Sequence, residues 1–146
     1  TPGIETSGEY DPHTTDGKSK WVAEEQNRTT AHDATGICMF TTGAGAPLDD
    51  LLPVLSAATD VDYDMDDFVK IGERIWNIER LWNLRAGLTA ADDSLPERLL
   101  KEAHKEGPSA GVTVNLDVML PEYYAARGWT PDGKPTQEKL MELGLG

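Results

Sequence analysis

The strongest constraint on the fold is a long run of apolar residues at helical spacing in the middle of the chain. Between residues 65 and 85 these residues recur at steps of three and four, which places them along one side of a helix. We expect this helix to be central and buried on more than one side, because the stripe is wide. Gly72 weakens an isolated helix and therefore indicates a close contact with a second helix. The stripe consists of Phe68, Ile71, Ile75, Ile78, Leu81, Trp82 and Arg85, widened by Trp76 and Leu84.

Other segments favour further helices and almost no β-structure. Residues 112–114 are the one strand-like piece, and nothing else in the sequence supplies a clear partner for it. We therefore predict an all-α, multihelical single domain of about five or six helices with at most one marginal strand. The further helices are expected at residues 18–32, residues 51–58 with Pro53 in the first turn, a short segment after Pro96, residues 116–127 and residues 136–143.

The N-terminal residues differ in character from the rest of the chain. Residues 1–17 are rich in glycine and proline and have no apolar period, so they indicate an irregular lead-in. The helical domain is then expected to occupy residues 18–146.

Composition limits the classes of partner. A net charge of −13 argues against nucleic acid and against anionic membrane surfaces. No apolar run approaches the ~20 residues that span a bilayer. Cys38 is the single cysteine, so no internal disulfide can form and a reducing compartment fits. We therefore predict a cytoplasmic protein.

The chemistry-bearing stretch follows the helix predicted at residues 18–32. Asp33 offers two acceptor oxygens, which can take parallel N–H bonds from a flat, guanidine-like edge such as that of a pterin ring. Cys38, as a thiolate, can ligate iron. Their α-carbons lie at most ~16–18 Å apart, so a ring and a cluster held by them would be neighbours. Gly36 can adopt the left-handed conformation that ends a helix, or let a ligand approach the main chain. The residues alone favour a simpler interpretation, in which Cys38 is a buried small hydrophobe and Asp33 is a surface acid or cap, because lone cysteines are usually buried.

The segment DATGIC, residues 33–38, resembles the Asp-x-x-Gly-Leu-Cys motif of the aldehyde ferredoxin oxidoreductase family. Members of that family are tungsten- or molybdenum-pterin enzymes in which two pterins hold the metal and one [4Fe–4S] cluster carries electrons. The stretches at residues 72–102 and 116–145 also resemble the family, in the same order. Ile37 departs from the motif, because the family usually has leucine there.

The resemblance implies that the chain is the C-terminal part of an enzyme that oxidises aldehydes to carboxylic acids with ferredoxin as electron acceptor. It implies that Asp33 hydrogen-bonds one pterin, that Gly36 and Ile37 shape the turn beneath it, and that Cys38 is one of four cluster thiolates. The family's other three thiolates lie upstream and are absent from this sequence. We therefore expect the isolated chain to bind neither cofactor and to be inactive, with upstream domains of the same enzyme as partners.

Several alternatives stay open at this point. The chain could be a non-catalytic helical domain for packing or partner binding, with an inert Cys38. It could also come from a family member that acts on another carbonyl or on an aromatic ring. The sequence does not choose between tungsten and molybdenum, identifies no catalytic residue, and allows a homo-oligomer.

Overall fold

The computed structural model describes residues 11–146, and this part of the chain is built from helices joined by turns. It contains seven α-helices and one 3₁₀ turn at Ala90–Asp92, and its only β-contacts are isolated bridges. The predicted all-α, multihelical class is confirmed, with two of the helices only four or five residues long. The helices are α1 (Lys18–Ala34), α2 (Phe40–Gly43), α3 (Leu48–Thr59), α4 (Met65–Arg85), α5 (Glu97–Lys101), α6 (Leu116–Ala126) and α7 (Gln137–Glu142).

Helix α4 begins and ends where its apolar period predicts. Phe68, Gly72 and Asn77 are buried along it. The expectation of burial on more than one side is wrong at two positions, because Ile78 is 49% exposed and Trp82 is 67% exposed. Periodicity identifies the apolar face of a helix, but it does not show how much of that face the rest of the chain covers.

The chain divides into two compact units. The first comprises residues 11–23 and Asn83–Thr136, and the second comprises Glu24–Trp82 and Gln137–Gly146. Residues 11–17 form turns without a helix, and residues 1–10 of the predicted lead-in lie outside the described residues.

The second unit is organised around the crossing of α1 and α4 at Gly72. A β-carbon added to Gly72 would overlap the carbonyl oxygen of Asn27 and lie 3.1 Å from the backbone nitrogen of Ala31. The predicted close contact between helices is therefore confirmed, and its partner is α1. A small apolar core adjoins the crossing, formed by Ala31, Leu52 and Phe68 with Leu48, Leu55, Tyr63 and Met65 packed around it.

Helix α7 is held on α4 by a cationic side chain. The Lys139 ammonium lies 3.0 Å from a carboxylate oxygen of Glu73 and 2.9 Å from one of Glu142. Burial opposes the charge on Lys139, but hydrogen bonds to Glu142 and Glu73 outweigh it and raise the pKa of Lys139 above its ordinary value. The ion pair with Glu73 thus fixes the last helix to the central one.

Hydrogen bonds near the end of α6, some of them made by tyrosine hydroxyls, stabilise the first unit. The Tyr124 hydroxyl donates a hydrogen bond to Asp93, which follows the 3₁₀ turn. Arg127 is only 1% exposed, and its Nε donates to the Tyr123 hydroxyl at 3.0 Å. Ser19 donates to the carbonyl oxygen of Met119 at 2.8 Å and so attaches the start of α1 to α6.

Helix boundaries depart from the sequence prediction mainly in α3. This helix begins at Leu48, three residues before the predicted start, so Pro53 lies inside it rather than in its first turn. Asp49 and Asp50 lie in the first turn, where their charge complements the helix dipole. The strand-like residues 112–114 form no strand in the described part of the chain, in keeping with the expectation of at most one marginal strand. The backbone N–H of Val114 instead donates to the carbonyl of Leu99 at 3.0 Å. Within the described residues, no helix combines the length and apolar character needed to cross a membrane.

The close α1–α4 crossing predicts that a single methyl group added at residue 72 will destabilise the fold. Gly72→Ala should lower the free energy of unfolding by about 1–3 kcal/mol, because the methyl overlaps backbone that cannot move aside as a side chain would. This cost exceeds the roughly 0.5–1 kcal/mol that alanine gains over glycine in a helix. Urea denaturation of the chain measures the difference. The matched control is Glu79→Ala, an exposed position of the same helix, which should change the stability by less than about 0.5 kcal/mol. Unchanged or increased stability of Gly72→Ala would contradict the crossing.

Candidate functional site

The candidate site is the bend that joins α1 to α2, residues 35–39. Asp33 lies in the last turn of α1, and Cys38 lies two residues before α2 begins. Both residues are exposed, and Cys38 is a free thiol. The alternative that Cys38 is a buried hydrophobe is therefore wrong for this chain.

Gly36 gives the bend its direction. Its φ of 75° lies in the left-handed region, as the sequence predicts for the residue that ends α1. Its N–H donates to the carbonyl oxygen of Asp33 at 3.1 Å. Nothing lies within 4 Å of the position of an added β-carbon, so glycine is needed for the backbone conformation and the space above it is open.

Thr35 holds the bend closed, and the sequence analysis missed this residue. Its hydroxyl donates to the carbonyl oxygen of His32 at 2.7 Å and accepts a hydrogen bond from the N–H of Ile37 at 3.1 Å. Threonine often bonds its own local backbone at a helix end, so a threonine just before a helix-ending glycine was the available signal. Through these two bonds the half-buried Ile37 is fixed directly before Cys38.

Cys38 is fixed from its other side by the start of α2. Its carbonyl oxygen accepts hydrogen bonds from the N–H of Thr41 at 3.0 Å and from the Thr41 hydroxyl at 2.7 Å. Helix α1 ends at Ala34, and a separate single helical turn, α2, follows Cys38.

His32 separates the interior from the site. Its side chain is buried at 4% exposure, while the next residue, Asp33, is exposed. The Nε2 atom of His32 is buried and has no hydrogen-bond partner among the residues that the structure describes. His32 therefore belongs to the packed side of α1, whereas Asp33 is exposed.

The donor set of the bend is one carboxylate and one thiol. In the described part of the chain, no three His, Cys, Asp or Glu side chains come together as a group that could hold a metal ion. A cluster on Cys38 would thus need ligands from other polypeptide. The residues next to the thiol are apolar and exposed, with Met39 at 37% and Phe40 at 86%.

The fold and the site together define a class of protein: a multihelical domain that presents an acid and a thiol on one ordered bend. The family model described as "Aldehyde ferredoxin oxidoreductase, domains 2 & 3" matches residues 2–145. The chain therefore belongs to the aldehyde ferredoxin oxidoreductase family.

Individual relatives agree with this assignment. The chain is 53% identical over 138 residues to proteins of Pyrococcus furiosus and Pyrococcus horikoshii, each named tungsten-containing aldehyde ferredoxin oxidoreductase. A protein of Thermococcus kodakarensis with the same name is 50% identical over the same length. Each match covers 92% of this chain but only 22% of the relative. The chain thus spans about a fifth of the length of these enzymes.

The role of Thr35 predicts a difference between two substitutions. Thr35→Val keeps the shape of the side chain but loses both hydrogen bonds, so it should lower the free energy of unfolding by about 1 kcal/mol or more. Thr35→Ser keeps the hydroxyl and should stay close to the wild type. Urea denaturation of the three proteins tests the prediction, and equal stability of the valine and serine variants would contradict it.

Proposed function

We propose that this chain supplies the C-terminal part of a tungsten-pterin oxidoreductase that oxidises aldehydes to carboxylic acids. Electrons would leave through a [4Fe–4S] cluster to ferredoxin. Family membership and the names of the tungsten-containing relatives support this proposal, and those names favour tungsten over molybdenum. The observation that carries it for this chain is the placement of Asp33 and Cys38 as exposed groups on one hydrogen-bonded bend.

Asp33 is proposed to hold one pterin. Its carboxylate is exposed at the end of α1, and two oxygens can accept parallel N–H bonds from the flat edge of the ring. The open space above Gly36 is consistent with a ligand close to the main chain, and Ile37 would form the apolar support of the turn. The donor set therefore fits a pterin edge, and the protein's contribution is to orient it.

Cys38 is proposed to supply one of the four thiolates of the cluster. Its thiol is free and exposed, and its backbone is fixed on both sides by Thr35 and Thr41. A ligand held this way loses little conformational freedom when it binds, which favours a defined geometry. When bound, the metal–pterin group supplies the two-electron oxidation and the cluster passes the electrons on singly. This chain's own part is to keep the two groups adjacent.

Counting ligands predicts the behaviour of the isolated chain. A [4Fe–4S] cluster takes four thiolates and the sequence offers one, so the purified 146-residue chain should hold neither cluster nor tungsten and should show no aldehyde oxidation. Metal analysis by mass spectrometry and an assay with a reducible dye measure both. Stoichiometric iron or tungsten in the isolated chain would show the prediction wrong.

The two proposed roles predict that substitutions of Cys38 and Asp33 in the full-length protein lose different cofactors. Cys38→Ser should lower the iron content and leave the fold intact, because serine replaces the thiolate with a hydroxyl of similar size. Asp33→Asn should weaken pterin and tungsten retention about 10- to 100-fold with iron less affected, since hydrogen bonds to a charged acceptor contribute about 1.5–3 kcal/mol each. Metal analysis and the fluorescence of released, oxidised pterin measure the two contents.

The matched control is Asp49→Asn, an exposed aspartate in the first turn of α3. It should retain wild-type iron, tungsten and pterin. Wild-type iron in Cys38→Ser would remove Cys38 from the ligand set, and wild-type pterin in Asp33→Asn would remove Asp33 from the pterin site.

A further inference from the structure

The first compact unit contains a cavity that the proposed function does not use. Its volume is about 680 Å³, within the range of small-molecule sites. Its walls come from three segments of the unit, at residues 12–18, 98–105 and 109–119. None of the residues of the bend between α1 and α2 lines it.

The cavity is lined by more cationic than anionic side chains, although the chain as a whole is acidic. The chain has a net charge of −13, yet Lys18, Arg98 and Lys105 line this space. Two of the three histidines in the sequence also lie there, and Glu102 is the one carboxylate among the described lining residues. A cavity with this balance favours an anion over a neutral or cationic ligand.

Two of the cations are available to a ligand. Arg98 and Lys105 are exposed, and neither pairs with a carboxylate in the part of the chain that the structure describes. Lys101 contrasts with them, because its ammonium lies 2.6 Å from the carboxylate of Glu97. The planar fork of a guanidinium suits two-point binding of a carboxylate or a phosphate.

The remaining wall is apolar. Leu99 is 39% exposed and Val112 is 37% exposed, and the half-buried Val114 and Met119 continue this surface. A simple inorganic anion would leave these side chains in contact with water, whereas a ligand with an apolar body would cover them.

Hydrogen bonds fix the walls to one another. The N–H of Val114 donates to the carbonyl of Leu99 at 3.0 Å, and the N–H of Gly111 donates to the carbonyl of His104 at 2.9 Å. The third segment is attached through the His13 ring nitrogen, 3.0 Å from the Ser109 hydroxyl. Two backbone hydrogen bonds and one side-chain contact therefore connect the walls of the cavity, and such preorganisation favours the binding of a small ligand.

We propose that this cavity binds a small organic oxyanion, with its carboxylate or phosphate group on Arg98 and Lys105 and its apolar body on Leu99 and Val112. The proposal is independent of the tungsten-pterin function, because neither cofactor residue takes part. It adds a second ligand site to the chain, for a class of molecule with one charged head and one apolar end.

Titration calorimetry of the full-length protein tests this site with four probes of similar size or charge. Benzoate and phenyl phosphate combine an anionic head with an aromatic ring, benzyl alcohol has the ring without the charge, and inorganic phosphate has the charge without the ring. Saturable binding is expected for benzoate or phenyl phosphate, and the tighter of the two identifies the head group. Benzyl alcohol or inorganic phosphate binding as tightly as the tighter of these two probes would overturn the proposal.

Two surface variants locate the binding. The double substitution Arg98→Gln with Lys105→Gln should weaken the tighter probe at least about tenfold, since it removes both charge-assisted contacts. The matched control is Lys101→Gln. Lys101 is an exposed cation of α5, the helix that carries Arg98, but it does not line the cavity, so this variant should bind the probe as the wild type does. No saturable binding at millimolar probe, or equal weakening by the control, would overturn the proposal. Neither readout depends on metal content or aldehyde oxidation, so failure here would leave the proposed function untouched.

Discussion

The close backbone contact between α1 and α4 at Gly72 determines where the end of α1 lies. The carbonyl of Asn27 occupies the space that any larger residue at position 72 would need, so α1 rests directly on the main chain of α4. One turn later Ala31 and His32 are still buried, whereas the next residue, Asp33, is exposed. The crossing therefore fixes the buried side of the last turn of α1, and Asp33 lies on that turn outside the buried side.

The bend after α1 extends this placement to the thiol. Gly36 reverses the chain with a positive φ, Thr35 bonds to backbone on both sides of that reversal, and Thr41 holds the carbonyl of Cys38. Each of these bonds is local, so the bend depends little on contacts from distant segments. Such a segment can present an acid and a thiol at a fixed spacing.

Strong local signals in the sequence were sufficient to predict part of this architecture. The limits of α4 follow from a period that runs unbroken from Met65 to Arg85, and the left-handed Gly36 follows from a glycine placed after a helical run. The predicted start of α3 is three residues too late, because Asp49 and Asp50 lie within its first turn and Pro53 lies inside the helix, where proline removes a backbone hydrogen bond. The division into two units and the exposure of Trp82 depend on tertiary contacts, which periodicity does not encode. The two hydrogen bonds of Thr35 are local, but they come from a polar side chain outside the apolar pattern. The proposed cofactor roles of Asp33 and Cys38 rest on the family resemblance, because one carboxylate and one thiol do not define a cofactor by themselves.

The central claim is that one bend holds a pterin through Asp33 and an iron–sulfur cluster through Cys38. A crystal structure of the full-length protein, with anomalous scattering recorded at the iron edge, tests it most directly. The account predicts an iron atom bonded to the sulfur of Cys38 and a pterin edge within about 2.7–3.2 Å of the Asp33 carboxylate. A bend that faces bulk water, or that packs in aliphatic side chains with no iron nearby, would contradict it.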